Sequence, residues 1–194
     1  RTRLTAERAR DGMLFVAGTL NAEMYGRGVR PKLPEGFNVR ESWKVTADPN
    51  AARRRSVYIY AKRNLPYPLL NAFDLPDMNE SCARRATTTT APQALNLLNS
   101  EEVLDAAEAF AVAVRNEAAS EEAASLVTQA YRRAFGRAPG DEEIEHAVSF
   151  LHAQRKRSGH SEGGDPRSAA DDANSAFTDF CHALLNSNEF LFVE

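Results

Sequence analysis

The sequence predicts a mainly α-helical protein, a multi-helix bundle of about six helices with one small two-stranded antiparallel β ribbon. Apolar residues recur three and four positions apart in six segments, which is the spacing of one helix face. Two shorter segments alternate apolar with more polar residues, which is the period of a strand. The 194 residues are 43% hydrophobic and 26% charged, an ordinary composition for a folded globular protein.

The first helix is expected from about residue 6 to residue 21. Ala9, Met13 and Leu20 belong to its apolar stripe, and Thr5 is placed to cap its first turn. Glycines and prolines between residues 26 and 36 then predict irregular chain.

The β ribbon is expected from residues 39–45 and 57–61, where apolar and polar side chains alternate. The turn residues at 48–50 and the arginines at 53–55 would join the two strands. A two-stranded ribbon is marginally stable alone in water, so we expect it to lie across helices.

The second half predicts almost continuous helix. Expected helices cover residues 91–98 and 101–116, and a third helix ends at Gly136. A fourth begins near Asp141, a low-complexity stretch at about 155–170 predicts a mobile loop, and a last helix precedes the C-terminus. The expected core residues include Leu14, Val16, Leu20, Leu95, Leu98, Leu126, Tyr131, Ile144, Leu151, Phe177, Phe180 and Leu184.

We expect residues 1–194 to form a single domain. Its two halves differ in net charge. Residues 1–100 hold 16 Lys and Arg against 9 Asp and Glu, whereas residues 101–194 hold 8 against 18. The two halves either steer partners of opposite sign or pack against each other. The longest apolar runs are far shorter than the roughly 18 to 20 residues that span a bilayer, so direct membrane insertion is not expected.

The connector, residues 73–90, contains the residues most open to a chemical interpretation. Arg84 and Arg85 lie beside Thr87 and Thr88, just before a helix opened by Pro92. Such guanidinium groups and hydroxyls either bind a phosphate or carboxylate near a helix N-terminus, or brace the loop. In the bracing interpretation, the expected partners of the arginines are the nearby carboxylates Asp74 and Asp77.

Oxygen-bearing side chains in the same connector also make a weak calcium candidate, because calcium prefers oxygen ligands. They are Asp74, Asp77, Asn79 and Glu80, whose spacing is not that of an EF-hand. An enzyme hypothesis would use this connector as well, with Cys82 beside Arg84 as the nucleophile.

One short pattern occurs twice, at residues 97–102 and 184–189. Each copy reads Leu-Leu-Asn-Ser and ends in a glutamate, with Asn at a helix end and Glu three positions later. The interpretation is either two helix corners, in which these side chains satisfy free backbone donors, or polar residues converging on a ligand.

Many separated motifs, in order, are similar to the planctomycete-specific domain of unknown function 1553. The resemblance covers nearly the whole chain and corresponds to the C-terminal part of that family's domain. It rests on Arg3-Leu4, Ala6-Glu7, Arg10-Asp11, Arg54 to Tyr58, Lys62-Arg63, Phe73-Asp74, Pro76-Asp77, Ser81-Cys82, Arg84-Arg85, Thr87 to Thr89, Pro92 to Leu95, Leu98-Asn99, Phe135 to Arg137, Pro139, Glu143 and Leu184 to Phe190.

The resemblance implies a place at the C-terminus of a large exported protein, in many members linked to a cytochrome c domain. The chain opens on Arg1, and we expect it to be a fragment of such a protein. Cys-x-x-Cys-His is absent, so no cofactor is expected in this chain, and any haem c belongs to a missing domain of the parent protein. In an extracytoplasmic (periplasmic or secreted) location, Cys82 and Cys181 are either a disulfide, worth on the order of 4 to 5 kcal/mol in the chain-entropy model, or two free thiols.

These observations favour a non-catalytic structural or protein-interaction module, whose partners are other domains of the parent protein or another subunit. The alternative is a hydrolytic or redox-linked enzyme centred on Asp74, Asp77, Cys82, Arg84 and Arg85. A nucleic-acid binder would use Tyr58, Tyr60 and the arginines at 53–55, but the acidic half and the exported context argue against it, so no nucleic acid partner is expected.

Overall fold

The computed structural model describes residues 1–36, 43–158 and 169–193. In this part of the chain there are nine α-helices, six of them with seven or more residues, and one two-stranded antiparallel sheet. The predicted fold class is therefore confirmed. The helices are α1 (Ala6–Val16), α2 (Pro49–Ala52), α3 (Pro68–Ala72), α4 (Ala91–Asn99), α5 (Glu101–Glu117), α6 (Ala123–Phe135), α7 (Asp141–Ser158), α8 (Ala169–Leu185) and α9 (Asn188–Leu191), and the strands are β1 (Thr2–Arg3) and β2 (Phe192–Val193).

Helix α5 lies at the centre of the core and packs against α1, α4, α6 and α8. Its buried stripe of Val103, Ala107, Phe110 and Val114 has the four-three-four spacing of one helix face, and each of these residues is fully buried. Helix α8 contributes Cys181 and Leu185, which are also fully buried. Helices α5 to α8 thus form a bundle; α1 and α4 pack against α5, and α3 packs against α1 and α4.

The β ribbon is not formed by the two segments in which apolar and polar residues alternate. The sheet joins the two ends of the chain, with Thr2 opposite Val193 and Arg3 opposite Phe192. Ser56–Tyr58 form a 3-10 helix instead of a strand. The backbone of Tyr58 and Tyr60 pairs with Val29, through N···O distances of 2.7 and 2.8 Å, so this segment has a different neighbour from the one predicted.

The other predicted strand, residues 39–45, lies partly outside the described residues. Its described end, from Trp43, is not a strand. The Trp43 indole N–H donates to the carbonyl of Pro31 at 2.9 Å, and Thr46 exchanges hydrogen bonds with Arg30. This stretch is thus held by the proline-rich segment that precedes it.

Helix α1 ends five residues earlier than predicted. Gly18 adopts the left-handed conformation, with φ of 72°, and the N–H groups of Thr19 and Leu20 both donate to the carbonyl of Leu14. A side chain at Gly18 would also approach the guanidinium group of Arg133 to 2.8 Å. Both conditions favour glycine here.

Several core and loop predictions need correction. Leu95 and Leu98 are 58% and 51% exposed, because α4 is a short edge helix whose covered face carries Gln93 and Leu97. Leu20, Tyr131 and Ile144 are half-buried, and the other predicted core residues are buried. Of the loop expected at about 155–170, residues 155–158 belong to α7 and residues 169–170 to α8, and the rest lies outside the described residues. Arg155, Lys156 and Arg157 suit the C-terminus of α7.

Candidate functional site

The carboxylate of Asp74 lies at the junction of three segments: β1, the end of α3 and the connector. It accepts hydrogen bonds from the guanidinium group of Arg3 at 2.5 Å, the backbone N–H of Thr88 at 2.8 Å and the Thr88 hydroxyl at 2.7 Å. The buried side chain of Gln93 donates to the Thr88 hydroxyl at 3.2 Å. Asp74 therefore fastens the connector to the first strand.

The Asp74 carboxyl group is held in its charged form. Partial burial acts to raise its pKa, but the hydrogen bonds from Thr88 and the nearby Arg3 guanidinium outweigh burial and lower the pKa. Its backbone is left-handed, with φ of 61°, a conformation that Asp tolerates better than most residues. Asp74 thus acts in this structure as a structural anion.

The partners of the paired arginines differ from those predicted. Arg85 binds both carboxylate oxygens of Glu7 on α1, at 2.8 and 3.0 Å, and not Asp74 or Asp77. Arg84 is exposed and makes no hydrogen bond or ion pair within the described part of the chain. The bracing interpretation therefore applies to Arg85, but its anchor is a helix distant in sequence.

The calcium candidates do not converge in the described residues. Asp77 accepts hydrogen bonds from the backbone and side-chain N–H groups of Asn79, each at 2.9 Å, as in a local turn. Asp74 already faces Arg3, and Glu80 is exposed. Residues 1–36, 43–158 and 169–193 contain no group of three or more His, Cys, Asp or Glu side chains that could hold a metal.

The two cysteines are free thiols that the fold keeps in different environments. Cys82 is exposed in the connector, whereas Cys181 is fully buried on α8. Burial raises the pKa of the Cys181 thiol, so it remains protonated. The disulfide alternative is not present in this structure, because Cys181 lies inside the helical core.

Arg10, on α1, is a buried hub that belongs to the family motifs but was not among the site residues predicted from the sequence. Only 2% of the residue is exposed. Its guanidinium group donates to the carbonyl oxygens of Ala52 and Arg54, at 3.2 and 3.1 Å, and to the Ser56 hydroxyl at 3.4 Å. The neighbouring Asp11 accepts from the Ser56 N–H at 2.7 Å. Residues 52–56 are thereby tied to the first helix.

The same guanidinium group has a charged partner on α5. Arg10 donates through Nε to Glu102 at 2.6 Å, and the hydroxyl of Tyr67 donates to the other Glu102 oxygen at 2.8 Å. Burial, and next the Glu102 carboxylate, raise the pKa of Tyr67, so its hydroxyl remains a donor. Arg10, Tyr67 and Glu102 thus join α1, α3 and α5.

A cavity of about 350 Å³ is lined in part by Arg10, Tyr67 and Glu102. Pro31, Pro34, Pro49 and Pro68 contribute to its walls, and its size falls within the range of small-molecule sites. None of Asp74, Asp77, Cys82, Arg84 and Arg85 lines it. The residues chosen from the sequence for an enzyme centre are therefore not beside this cavity.

Arg54 is a second buried arginine and holds together the basic region of the chain. It is 4% exposed and donates to the carbonyl oxygens of Glu23 and Arg27, each at 3.1 Å, and to that of Tyr25. It also lies 3.8 Å from the centre of the Tyr58 ring. Neither Arg54 nor this face of Tyr58 is available to a phosphate or a base.

The two Leu-Leu-Asn-Ser copies form corners. The Ser187 hydroxyl caps α9 by accepting from the Phe190 N–H at 3.2 Å, but Ser100 does not cap α5, and the Asn and Glu side chains of both copies have other partners than the helix donors expected. Asn99 and Asn186 each donate to the carbonyl four residues earlier, at 2.8 Å. The glutamates instead form ion pairs across the fold, Glu102 with Arg10 and Glu189 with Arg137. They do not converge on a common site.

Arg137 joins the ends of α6, α7 and α9. Its guanidinium group binds Glu143 through two hydrogen bonds of 2.7 and 2.8 Å, and Glu189 through two of 2.6 and 2.8 Å. The hydrogen bonds from Arg137, followed by the Gly140 backbone N–H, lower the pKa of Glu143 to about 2. The ordinary value is 4.5.

Glu143→Gln is expected to lower the free energy of unfolding at pH 7 by about 0.5 to 1 kcal/mol, since the pair is partly exposed and screened by solvent. The folded-state pKa lies below the unfolded value, so the charged Glu143 stabilises the fold above pH 4.5 and loses this effect as pH falls towards 2. Denaturant unfolding at several pH values should show the two proteins converging in acid. Glu142→Gln, in the same first turn of α7, is the matched control, and an equal loss there would contradict the Arg137 explanation.

The arginines that organise these contacts were named only within the family motifs and not as site residues, although Arg10 also has a signal in the helix pattern. It falls at the spacing of Ala6 and Met13, inside the apolar stripe of α1. A charge in such a stripe indicates a buried, paired side chain. Arg3 and Arg54 have no comparable periodic signal, because they lie outside regular helices.

The fold and these contacts define a helical domain in which ion pairs link segments distant in sequence. Its sequence matches, over residues 1–151, the family model described as PSD1, protein of unknown function (DUF1553). The chain therefore belongs to this family. No curated protein and no solved structure matches it. In the described residues, no helix is both long and apolar enough to cross a membrane.

Proposed function

We propose that this chain is a non-catalytic structural or protein-interaction module of a large exported protein, in some cases linked to cytochrome c. Its partners are other domains of the parent protein or another subunit, in an extracytoplasmic location. The chain itself holds no haem, which would belong to another domain, and it binds no nucleic acid. The planctomycete-specific family resemblance supports the exported context.

The observation that carries this proposal is that polar residues of the connector bind other segments of the same chain. Asp74 binds Arg3 and Thr88, and Arg85 binds Glu7, so the connector is fastened to β1 and α1. A catalytic carboxylate or an anion-binding arginine needs free hydrogen-bonding capacity facing a substrate. In this structure, Asp74 and Arg85 use their hydrogen-bonding groups to bind other segments of the protein.

The alternative, a hydrolytic or redox-linked enzyme, has less support. Of its proposed centre, Cys82 and Arg84 are exposed, and Asp77 is engaged in a local turn with Asn79. The 350 Å³ cavity lies beside Arg10 and Glu102 instead. This arrangement does not bring a nucleophile, a base and a pocket together.

The test uses the full-length parent protein with a protease site placed just before Arg1. After cleavage, we expect this chain to remain bound to the remainder or to a co-purifying subunit on size-exclusion chromatography at physiological salt. Elution as a free 21.4 kDa chain would contradict the proposal.

A double variant, Cys82→Ser with Arg84→Ala, serves as the control for the enzyme alternative. Because both side chains are exposed, we expect folding and association to be unchanged. A phosphate or metabolite found ordered at Arg84 in a crystal of the parent protein would favour the enzyme instead.

A further inference from the structure

Tyr25 combines high exposure with an unfavourable backbone conformation. It is 78% exposed, and its φ of 67° places it in the left-handed region. Glycine and asparagine adopt this region far more readily than a bulky aromatic residue does. A costly backbone conformation that exposes a large aromatic ring to solvent indicates that the ring has a function.

The backbone that carries the ring is held in place and does not form a loose turn. The Tyr25 N–H donates to the Tyr58 hydroxyl at 2.8 Å, and its carbonyl accepts from the buried guanidinium group of Arg54. Arg54 also binds the carbonyls of Glu23 and Arg27 on either side. The backbone at Tyr25 is therefore fixed before any partner arrives, which lowers the entropic cost of binding.

Other exposed apolar side chains lie on the same pair of segments. Met24 is 56% exposed, Val57 is 70% exposed and Tyr60 is 43% exposed. The two segments are neighbours, since Val29 hydrogen-bonds to both Tyr58 and Tyr60. We call the exposed side chains of Met24, Tyr25, Arg27, Arg55, Val57 and Tyr60 the basic aromatic surface.

The charge of these two segments is one-sided, although the exposed guanidinium group of Arg55 lies 3.9 Å from the Asp11 carboxylate on α1. Residues 21–30 and 53–63 hold seven Lys and Arg against a single acidic residue, Glu23. Arg54 is buried and Arg30 lies 4.1 Å from the centre of the Tyr60 ring, but Arg27, Arg53 and Arg55 are exposed. Such a field attracts an anionic partner and speeds its association.

We propose that the basic aromatic surface docks an acidic polypeptide segment in which Asp or Glu residues are interspersed with apolar side chains. This inference rests on the proposed function, because the segment would belong to another domain of the parent protein or to another subunit. Carboxylates of the segment pair with Arg27 and Arg55, and its apolar side chains cover Tyr25 and Val57. Tyr25 is the anchor, since aromatic and arginine side chains dominate binding at interfaces.

A polypeptide fits this surface better than a nucleic acid. Met24 and Val57 are aliphatic and would gain little from a phosphate backbone. Arginines already lie over one face of the Tyr58 and Tyr60 rings, which restricts base stacking on them. An acidic segment carrying apolar side chains satisfies both the charges and the exposed apolar groups.

The first test measures fluorescence anisotropy of a labelled peptide in which glutamate alternates with leucine. We expect saturable binding that weakens with salt, and no binding of the same peptide with lysine in place of glutamate. Tyr25→Asn should weaken binding by about tenfold or more. It should leave thermal stability unchanged or raised, because asparagine suits the left-handed backbone.

Leu95→Asn is the matched control, since Leu95 is 58% exposed on α4, outside this surface, and its loss should not change peptide affinity. The proposal is overturned by an absence of saturable binding, by equal effects of the two variants, by tighter binding of oligothymidylate than of the peptide, or by self-association of the chain through this surface.

The second test separates this inference from the proposed function by using the cleaved parent protein. Tyr25→Asn combined with Arg55→Glu should release the chain, whereas Leu95→Asn should not. If the variant chain stays bound to the rest of the parent protein, the module docks through another surface, and only this inference is contradicted. If the wild-type chain is released, the proposed function is contradicted. The peptide measurement then decides whether the surface binds acidic segments.

Discussion

Replacement of Arg10 by methionine is expected to lower the free energy of unfolding by about 3 kcal/mol or more. The substitution keeps much of the side-chain volume but removes the donors that Arg10 supplies to Glu102, to two backbone carbonyls and to the Ser56 hydroxyl. Acceptors left without donors away from water are costly, and so is a carboxylate that has lost its cation. Chemical denaturation followed by circular dichroism measures the loss.

Arg8→Met is the control for this prediction, because Arg8 lies on the same helix but is exposed. Its effect should stay within about 0.5 kcal/mol. Adding Glu102→Leu to Arg10→Met should recover part of the loss, since a buried pair replaced as a whole costs less than a pair that is broken. A loss below about 1 kcal/mol for Arg10→Met alone would show that this pair is dispensable.

Phe110→Ala is expected to destabilise the protein by about 3 to 5 kcal/mol. Phe110 is fully buried at the centre of α5, so its truncation removes apolar contacts and leaves a cavity between helices. The same denaturation experiment measures the effect, and the slope of the transition should change little if unfolding stays two-state.

Val112→Ala is the matched control on the same helix, because Val112 is 54% exposed. Its cost should stay within about 0.5 kcal/mol. Comparable losses at positions 110 and 112 would contradict the orientation of α5 described above.

The long helices were predictable because their apolar spacing and their terminating residues agree. Gly136 ends α6 in the left-handed conformation, as expected from its position after the apolar stripe. The strands were misplaced because alternation states only that a segment has two faces. It does not identify the neighbour, and the backbone at residues 58–60 pairs with Val29 through tertiary contacts that no local pattern encodes.

The candidate site was predicted in part. The connector residues singled out from the sequence include Asp74 and Thr88, and Thr88 does bind Asp74. The cations were assigned wrongly, because ion pairs form between side chains that are close in space. Arg3 is 71 residues from Asp74 and Glu7 is 78 residues from Arg85, so a search for partners along the loop does not find either pair.

The pairing of β1 with β2 determines how the domain responds to a mechanical load. Thr2 faces Val193 and Arg3 faces Phe192 in antiparallel register, so these two strands lie side by side with residues 2 and 193 at the same end of the ladder. Tension between the two ends would act on one residue pair at a time and would unzip the strands before any helix is stretched. This unzipping geometry resists force less than a ladder loaded along its strands, because its hydrogen bonds break in succession and not together.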